Sequence, residues 1–245
     1  MYNEFPNVEV EMWLTELIRE YPMARVLADV LPKSPNFHNA DFLFDSEKIV
    51  AELKILTDDN TDSANNIAKR TELINQFYSD GIIPSTIIDE SNWYSLPLSV
   101  QTRISDISTR SIAKAAQKAN RQIRETREEL GLNNYSGMLI IVNNGMRSIS
   151  PAAIQLKLAR LMEWHFSEIH HVIFFTSNLF IRLKEVERPV MVWLSMDCQK
   201  GRKIDERFAV NLHKLWMSMV SRKTGIPSNA KEITDMEDFW KAQHK

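Results

Sequence analysis

The stretch DFLFDSEKIVAELKI, residues 41–55, decides the fold. Two apolar runs flank the polar turn DSEK, which predicts a β-hairpin whose second strand runs through IVAELKIL, residues 49–56. Side chains alternate between the two faces of a strand. One face is entirely apolar and should pack on a layer of helices: Ile49, Ala51, Leu53 and Ile55. The other face sets two charges between two hydrophobic residues: Val50, Glu52, Lys54 and Leu56.

The charges in this strand need a compensating partner, because burying an unpaired charge costs stability. If the turn has an even number of residues and is centred between Ser46 and Glu47, Asp41 lies opposite Glu52. Directly opposed like charges destabilise a sheet, so two carboxylates in this arrangement call for a cation. Lys54 follows two residues later on the same face. An odd-numbered turn would shift the register by one residue and leave only a diagonal contact.

Two carboxylates and a lysine around one point suit a hard divalent cation, Mg²⁺ or Mn²⁺, which prefers oxygen ligands. Such an ion polarises a phosphoryl oxygen and lowers the pKa of a bound water. A lysine at the position of Lys54 would stabilise the charge that develops on a phosphate or orient the attacking water. The sequence therefore predicts a Mg²⁺ site with Asp41 and Glu52 as its ligands.

Asp41 followed by Glu52-Leu53-Lys54, after an N-terminal helix, resembles the motif of the PD-(D/E)XK nuclease superfamily, the restriction-endonuclease-like fold. The resemblance implies that Asp41 and Glu52 bind the metal. It implies that the backbone carbonyl of Leu53 is a further ligand and that Lys54 is the catalytic lysine. Ala40 stands where the motif has a proline.

The remainder of the chain alternates helices with short apolar strands, which predicts an α/β fold: a restriction-endonuclease-like mixed β-sheet flanked by helices. Residues 1–245 are predicted to form one domain, with a helical insertion at about 57–100. No separate strand is apparent before Asp41, although the resembled fold usually has one. Helices are predicted over residues 8–20, 64–79, about 100–130 with a break near Ser108, from Pro151 to Trp164, and 205–222. Strands are predicted in MLIIV, HVIFFTS and RPVMVWLSM.

The first helix offers a third carboxylate. Glu16 and Glu20 border its apolar face, and many members of the resembled superfamily supply one more metal ligand from this helix. Glu16 or Glu20 is therefore a candidate ligand, and Glu16 is the one selected. The alternative is an ordinary solvated acidic border on an amphipathic helix.

A basic stripe runs along the long helix in TRSIAKAAQKANRQIRETREEL, residues 109–130. Helical spacing places five cations on one face, with Gln117 beside them: Arg110, Lys114, Lys118, Arg121 and Arg124. Such a stripe can neutralise phosphates through contacts that position a nucleic acid without reading its sequence. In the resembled superfamily this helix often lends a Gln or Lys to the site, which makes Lys114, Gln117 and Lys118 candidates. The alternative is an exposed face balanced by nearby glutamates.

Composition narrows the class of protein further. The single cysteine, Cys198, excludes an internal disulfide and fits a cytoplasmic protein. No apolar run reaches the roughly 18 residues of a membrane span, and residues 1–13 lack the pattern of a signal peptide. With 6 glycines and no GxxxxGK[ST], GxGxxG or GxSxG motif, a phosphate-cradling loop is not expected. The histidines and glutamates between Glu163 and His171 are not spaced as HExxH, so they are interpreted as structural, like Cys198.

These features predict a Mg²⁺-dependent endodeoxyribonuclease, a phosphodiester hydrolase that acts on nucleic acid, DNA rather than RNA, and not at a membrane. Many nucleases of the resembled fold pair up to cut both strands, so the resemblance allows a homodimer, but the sequence leaves the oligomeric state open. Two alternatives stay open. One is a non-catalytic nucleic-acid- or protein-binding module on the same fold, whose basic stripe would bind phosphates without cleavage. The other is a scaffold or assembly subunit.

Overall fold

The computed structural model of the protein describes residues 7–84, 93–164, 166–184, 186, 190–198, 203–227 and 232–242, apart from the side chains of Tyr94 and Trp164. Within these ranges six strands form one sheet: β1 (Ala24–Val26), β2 (Phe42–Phe44), β3 (Ile49–Leu56), β4 (Ser136–Asn143), β5 (His171–Thr176) and β6 (Trp193–Asp197). The helices there are α1 (Val10–Glu20), α2 (Leu27–Val30), α3 (Ala64–Ser79), α4 (Leu98–Ser108), α5 (Arg110–Glu129), α6 (Pro151–Trp164), α7 (Glu206–Thr224) and α8 (Met236–Lys241).

The strands lie in chain order, from β1 to β6, and the sheet mixes two strand directions. The first three strands are antiparallel neighbours, β3, β4 and β5 are parallel, and β6 runs antiparallel to β5. Parallel strands that are covered on both faces are almost wholly apolar, and every residue of β4, SGMLIIVN, is buried. The fold is therefore α/β, with a mixed open sheet flanked by helices, as the sequence predicts. No helix in the described ranges is both long enough and apolar enough to cross a membrane.

Helices cover both faces of the sheet, and the alternation of side chains along β3 decides which residue meets which helix. The face that was predicted to be apolar joins a core cluster with residues of α1 and α7: Ile49, Ala51 and Leu53. Val50 and Leu56 point the other way, into a cluster with residues of α5, α6 and α8. Glu52 and Lys54 share this second face and therefore lie on the α5 side of the sheet.

Most predicted elements lie where the sequence places them. The break in the long helix falls at Thr109, between α4 and α5. Ser150 caps α6, because its Oγ accepts a hydrogen bond from the N–H of Ala153 at 3.2 Å. Within the predicted insertion, residues 85–92 lie outside the described residues.

Strand β1 is the element that the sequence patterns do not reveal. It lies between Met23, whose φ is +55°, and the short helix α2. Its three residues form a strand because β2 supplies their partners, with Ala24 opposite Phe44 and Val26 opposite Phe42. Periodicity cannot identify a strand this short, because it holds only one alternation of side chains. A separate strand therefore does precede the hairpin.

The predicted insertion, residues 57–100, contains α3 and the start of α4. These helices pack around a small apolar cluster of their own, formed by Phe77, Ile83, Val100 and Ile104. This cluster is separate from the two that cover the faces of the sheet. That the segment is an insertion, and that the chain forms a single domain, stay predictions.

The loop after β3 is in direct contact with the loop after β4. Oδ2 of Asp59 accepts hydrogen bonds from the N–H groups of Arg147 and Ser148, both at 2.7 Å. A Cβ atom on Gly145 would lie 1.9 Å from the carbonyl oxygen of Thr57, so an alanine there must move backbone. We expect Gly145→Ala to lower the free energy of unfolding by at least about 2 kcal/mol, as measured by urea denaturation.

Gly81→Ala is the control for this prediction. Nothing lies within 4 Å of a Cβ atom at Gly81, but its φ of +67° favours glycine. That conformation alone should cost about 1–2 kcal/mol. A Gly145→Ala variant as stable as the wild-type protein would contradict the close approach of the two loops.

Candidate functional site

The hairpin has the register that the even-numbered turn predicts. Phe44 pairs with Ile49 and Phe42 with Ala51, so the next pair in line is Asp41 with Glu52. The regular pairing ends there, because the N–H of Asp41 donates to the carbonyl oxygen of Ala51, at 3.1 Å. The two carboxylates therefore come together at the end of β2, beside the middle of β3.

Backbone hydrogen bonds on both sides hold Asp41 in place. Its Oδ2 accepts from the N–H of Leu53 at 2.8 Å. Its carbonyl oxygen accepts from the N–H of Leu27, also at 2.8 Å. Burial raises the pKa of the Asp41 carboxyl, while the N–H of Leu53 and the nearby ammonium of Lys54 act in the opposite direction.

Glu52 is the most deeply buried charged residue of the cluster, with 1% of its surface exposed. Its Oε1 is ion-paired with Nζ of Lys54. Its Oε2 is buried and accepts no hydrogen bond from any of the described residues, and the protonated carboxyl of Glu52 can donate one to Asp41. Burial raises the pKa of the Glu52 carboxyl to about 8; the neighbouring charge of Asp41 adds to this shift and the charge of Lys54 opposes it. A carboxylate in this state needs either a proton or a cation.

Lys54 is held from the other side by α5. Its Nζ donates to Oε1 of Gln122 at 2.8 Å, and Nε2 of Gln122 donates to the carbonyl oxygen of Asn39, also at 2.8 Å. The resemblance implies that this helix lends a Gln or Lys to the site, but the three candidates, Lys114, Gln117 and Lys118, are exposed, and the residue that reaches the site is Gln122. The sequence feature that could have identified Gln122 is its position on the helix. It lies at the border between the basic stripe and the buried face, to which Ile123 belongs.

We expect Gln122→Ala to lower the rate of any reaction at this site by about 10-fold, because the amide that fixes the lysine ammonium is lost. Gln117→Ala, one to two turns earlier and exposed, is the matched control and should keep the wild-type rate. The rates are measured with saturating metal. If both variants retain full activity, the orientation of Lys54 does not depend on α5.

The predicted basic stripe is a surface feature of α5. Its five cations and Gln117 are all exposed: Arg110, Lys114, Gln117, Lys118, Arg121 and Arg124. Arg121 is ion-paired with Glu125, at 2.6 Å. The other four cations have no carboxylate partner among the described residues. Lys118 lies one helical turn before Gln122, so the stripe borders the carboxylate cluster.

The structure does not bring Glu16 to this cluster. Glu16 faces α7, where its carboxylate lies 2.7 Å from Nζ of Lys223, and Glu20 contacts Arg222 on the same helix. The carboxylate of α1 whose charge reaches Asp41, and helps raise its pKa, is Glu11. The carboxylates along this border of α1 therefore form ion pairs with α7 and do not reach the proposed metal site.

The histidines and glutamates between Glu163 and His171 do not share one contact. His165 lies outside the described residues. Glu168 is ion-paired with Arg127, and Nδ1 of His170 accepts a hydrogen bond from the N–H of Gly137 at 2.9 Å. Each of these residues ties the start of β5 to a neighbouring element. Cys198 is buried, with Sγ 3.5 Å from the carbonyl oxygen of Met162.

The donor set at Asp41 and Glu52 fits a cation that keeps part of its water shell. Two carboxylates converge, one of them with a buried oxygen that accepts no hydrogen bond from the described residues. Among the described residues no group of three or more His, Cys, Asp or Glu side chains is placed to hold a metal. Mg²⁺ is typically bound by one or two carboxylates plus waters and substrate phosphates, so two are sufficient. The role of the Leu53 carbonyl as a ligand stays a prediction. Comparison of the chain with protein-family models, with curated proteins and with solved structures gives no match.

Proposed function

We propose that this protein is a metal-dependent nuclease that hydrolyses phosphodiester bonds in nucleic acid, DNA in preference to RNA, with Mg²⁺ or Mn²⁺ held by Asp41 and Glu52. The observation that carries the proposal is the buried Oε2 of Glu52, which lies beside a second carboxylate and a lysine and accepts no hydrogen bond from the described residues. Structural ion pairs are usually satisfied, whereas this cluster, once Glu52 is ionised, has one negative charge more than its lysine can balance.

At such a site each residue of the chain would have a separate role. The bound ion supplies a polarised phosphoryl oxygen and a water of lowered pKa. Asp41 is oriented in advance by the N–H of Leu53. Lys54 is presented by Gln122, which holds its ammonium from the side opposite Glu52. Lys54 would contact the phosphate, and Glu52, its present ion-pair partner, would help to hold the cation.

The basic stripe supports a polyanionic substrate. Four cations that have no carboxylate partner in the described ranges lie along one helix face that borders the carboxylates: Arg110, Lys114, Lys118 and Arg124. A nucleic-acid backbone laid along α5 would thus be neutralised on one side of the site. The order of elements also agrees with the resemblance to PD-(D/E)XK nucleases: a helix, a strand, the two strands with the motif, and later a helix and a strand.

We expect reversal of charge on the stripe to weaken binding of DNA. The double variant Lys118→Glu with Arg124→Glu should raise the Kd at least about 10-fold and flatten the dependence of log Kd on log salt concentration. Arg207→Glu with Lys214→Glu, two exposed residues of α7 on the opposite side of the sheet, changes the net charge by the same amount and is the control. Fluorescence anisotropy with a short labelled duplex gives both quantities. Equal effects in both variants would mean that α5 is not the interface.

The proposal is tested by incubating the protein with supercoiled plasmid, linear duplex, single-stranded DNA and RNA. Each is assayed with Mg²⁺, with Mn²⁺ and with EDTA. Cleavage that requires the metal is expected for DNA. Binding without cleavage of any substrate would replace the nuclease by the non-catalytic nucleic-acid-binding module. If neither binding nor cleavage occurs, the proposal is wrong.

A further inference from the structure

A second group of chemically reactive side chains lies where β5 pairs with β6. His171 and Asp197 are directly opposite each other, and Ser195 lies two residues earlier than Asp197 on the same face of β6. Nδ1 of His171 lies 2.5 Å from Oδ1 of Asp197, and Nε2 lies 3.0 Å from Oγ of Ser195. An imidazole between a carboxylate and a hydroxyl is the arrangement that activates a serine as a nucleophile.

The exposure of the three residues fits this chemistry. His171 is buried, with 3% of its surface exposed, whereas Ser195 and Asp197 are exposed. The carboxylate of Asp197 accepts the proton on Nδ1, which leaves Nε2 as the acceptor for the hydroxyl of Ser195. The hydroxyl is thus open to a substrate, while the base behind it is shielded from solvent.

The backbone adds a hydrogen-bond donor next to the hydroxyl. The N–H of Thr176 donates to the carbonyl oxygen of Val192, the residue just before β6, and the N–H of Ser177 donates to the carbonyl oxygen of Asn143 on β4. The N–H groups of successive residues in a strand point to alternate sides, and directly opposed residues either both point toward each other or both point away. Ser195 lies opposite Ile173, three residues before Thr176, so the N–H of Ser195 points away from β5. Strand β6 is the last strand of the sheet, so no further strand in the described part of the chain lies on that side to accept from this N–H. It is therefore available to an oxyanion that forms at the Ser195 hydroxyl.

This group is independent of the carboxylate cluster. Ala51, Met138 and His171 lie side by side across β3, β4 and β5, and they share the face that packs against α1 and α7. Glu52 points to the opposite face, toward α5. The two sites are thus separated by the thickness of the sheet and by two strands.

We propose that Ser195, His171 and Asp197 form a second active site, which hydrolyses carboxylic esters. Oγ of Ser195 attacks the ester carbonyl carbon as its proton moves to Nε2 of His171, and the N–H of Ser195 stabilises the oxyanion. The tetrahedral intermediate expels the alcohol oxygen, which takes the proton from His171, and leaves an acyl-serine. Water then attacks the acyl carbon, gives its proton to His171 and releases the carboxylic acid, and Ser195 recovers its proton.

The test uses the full chain and a fluorophosphonate probe, which forms a stable adduct with an activated serine. We expect one adduct by intact mass, assigned to Ser195 by peptide mapping and lost in Ser195→Ala. Asp197→Asn should slow the labelling at least about 100-fold, because the imidazole loses its correct tautomer. Ser167→Ala, which removes another hydroxyl hydrogen-bonded to a carboxylate, is the control and should label at the wild-type rate.

Hydrolysis of p-nitrophenyl acetate provides a second readout. It should be lost in Ser195→Ala, and it should persist in EDTA and in Lys54→Ala, which separates this site from the proposed nuclease. Asp197 is exposed, so Asp197→Asn is expected to fold, and circular dichroism checks this. Absence of an adduct at Ser195, or labelling that is unchanged in folded Asp197→Asn, would overturn the proposal. The three residues would then be a hydrogen-bonded link that fixes β6 to the sheet.

Discussion

Lys54→Ala is expected to lower the rate of metal-dependent DNA cleavage by at least about 100-fold, the effect of removing a preorganised charge from a transition state. Lys54 is the only cation in direct contact with Glu52 among the described residues, and Gln122 fixes its ammonium. The exposed stripe lysines cannot replace it, because they lie on the outer face of α5. The measurement is the initial rate of plasmid nicking with saturating Mg²⁺.

The matched control for this variant is Lys203→Ala, an exposed lysine just before α7. It should cleave at the wild-type rate. The thermal midpoint of Lys54→Ala must also be measured, because the substitution leaves two buried carboxylates without their lysine. Full activity in a folded Lys54→Ala variant would show that the hairpin is not where the reaction takes place.

The second large effect is the pH dependence of the free energy of unfolding that Glu52 causes. Because the folded-state pKa of Glu52 is about 8 and its ordinary value is 4.5, the folded protein holds this proton more tightly than the unfolded chain does. The stabilisation from this carboxyl is therefore fully present below pH 4.5 and is lost as the pH rises toward 8. In EDTA the free energy of unfolding should fall by a few kcal/mol between pH 4.5 and pH 8. This is the order of magnitude that proton linkage predicts for a pKa shift of this size.

A divalent cation should reverse this loss. Mg²⁺ or Mn²⁺ binds the ionised carboxylates, so the stabilisation by the metal should be larger at pH 8 than at pH 5. Glu52→Gln replaces the charge by a neutral group of the same shape. It should flatten the pH dependence in EDTA and remove most of the response to the metal.

Urea denaturation at several pH values, with and without the metal, measures both effects. Glu128→Gln, an exposed glutamate at the end of α5, is the control and should behave like the wild-type protein. A metal response that survives in Glu52→Gln would place the cation elsewhere. A stability that does not change between pH 5 and 8 in EDTA would contradict the burial of Glu52 next to Asp41.

The hairpin could be predicted from sequence because its determinants are local. The turn determines the register of the two strands. The register places Asp41 beside Glu52 and turns the apolar face of β3 away from both carboxylates. The helices and the central strands are long enough for their periodicity to be read, and the fold class follows from their order.

The features that could not be predicted depend on contacts between distant parts of the chain. β1 is a strand only because β2 lies beside it. A helical wheel shows that Glu16 borders an apolar face, but it does not show that α7 brings Lys223 to that border. Gln122 and Gln117 both lie near the stripe, and only the position of α5 over β3 decides which of them reaches Lys54.

The parallel pairing of β3 with β4 also influences how the chain folds. The two strands are hydrogen-bonded neighbours from Ile49 with Ser136 to Leu56 with Asn143, yet the whole segment of α3, α4 and α5 lies between them in sequence. Closing so long a loop has a high entropic cost, which makes contacts of this kind form late. The hairpin can form early and brings Asp41, Glu52 and Lys54 together. The charged cluster therefore stays open to water until α5 docks, so its electrostatic cost arises only in the last steps of folding.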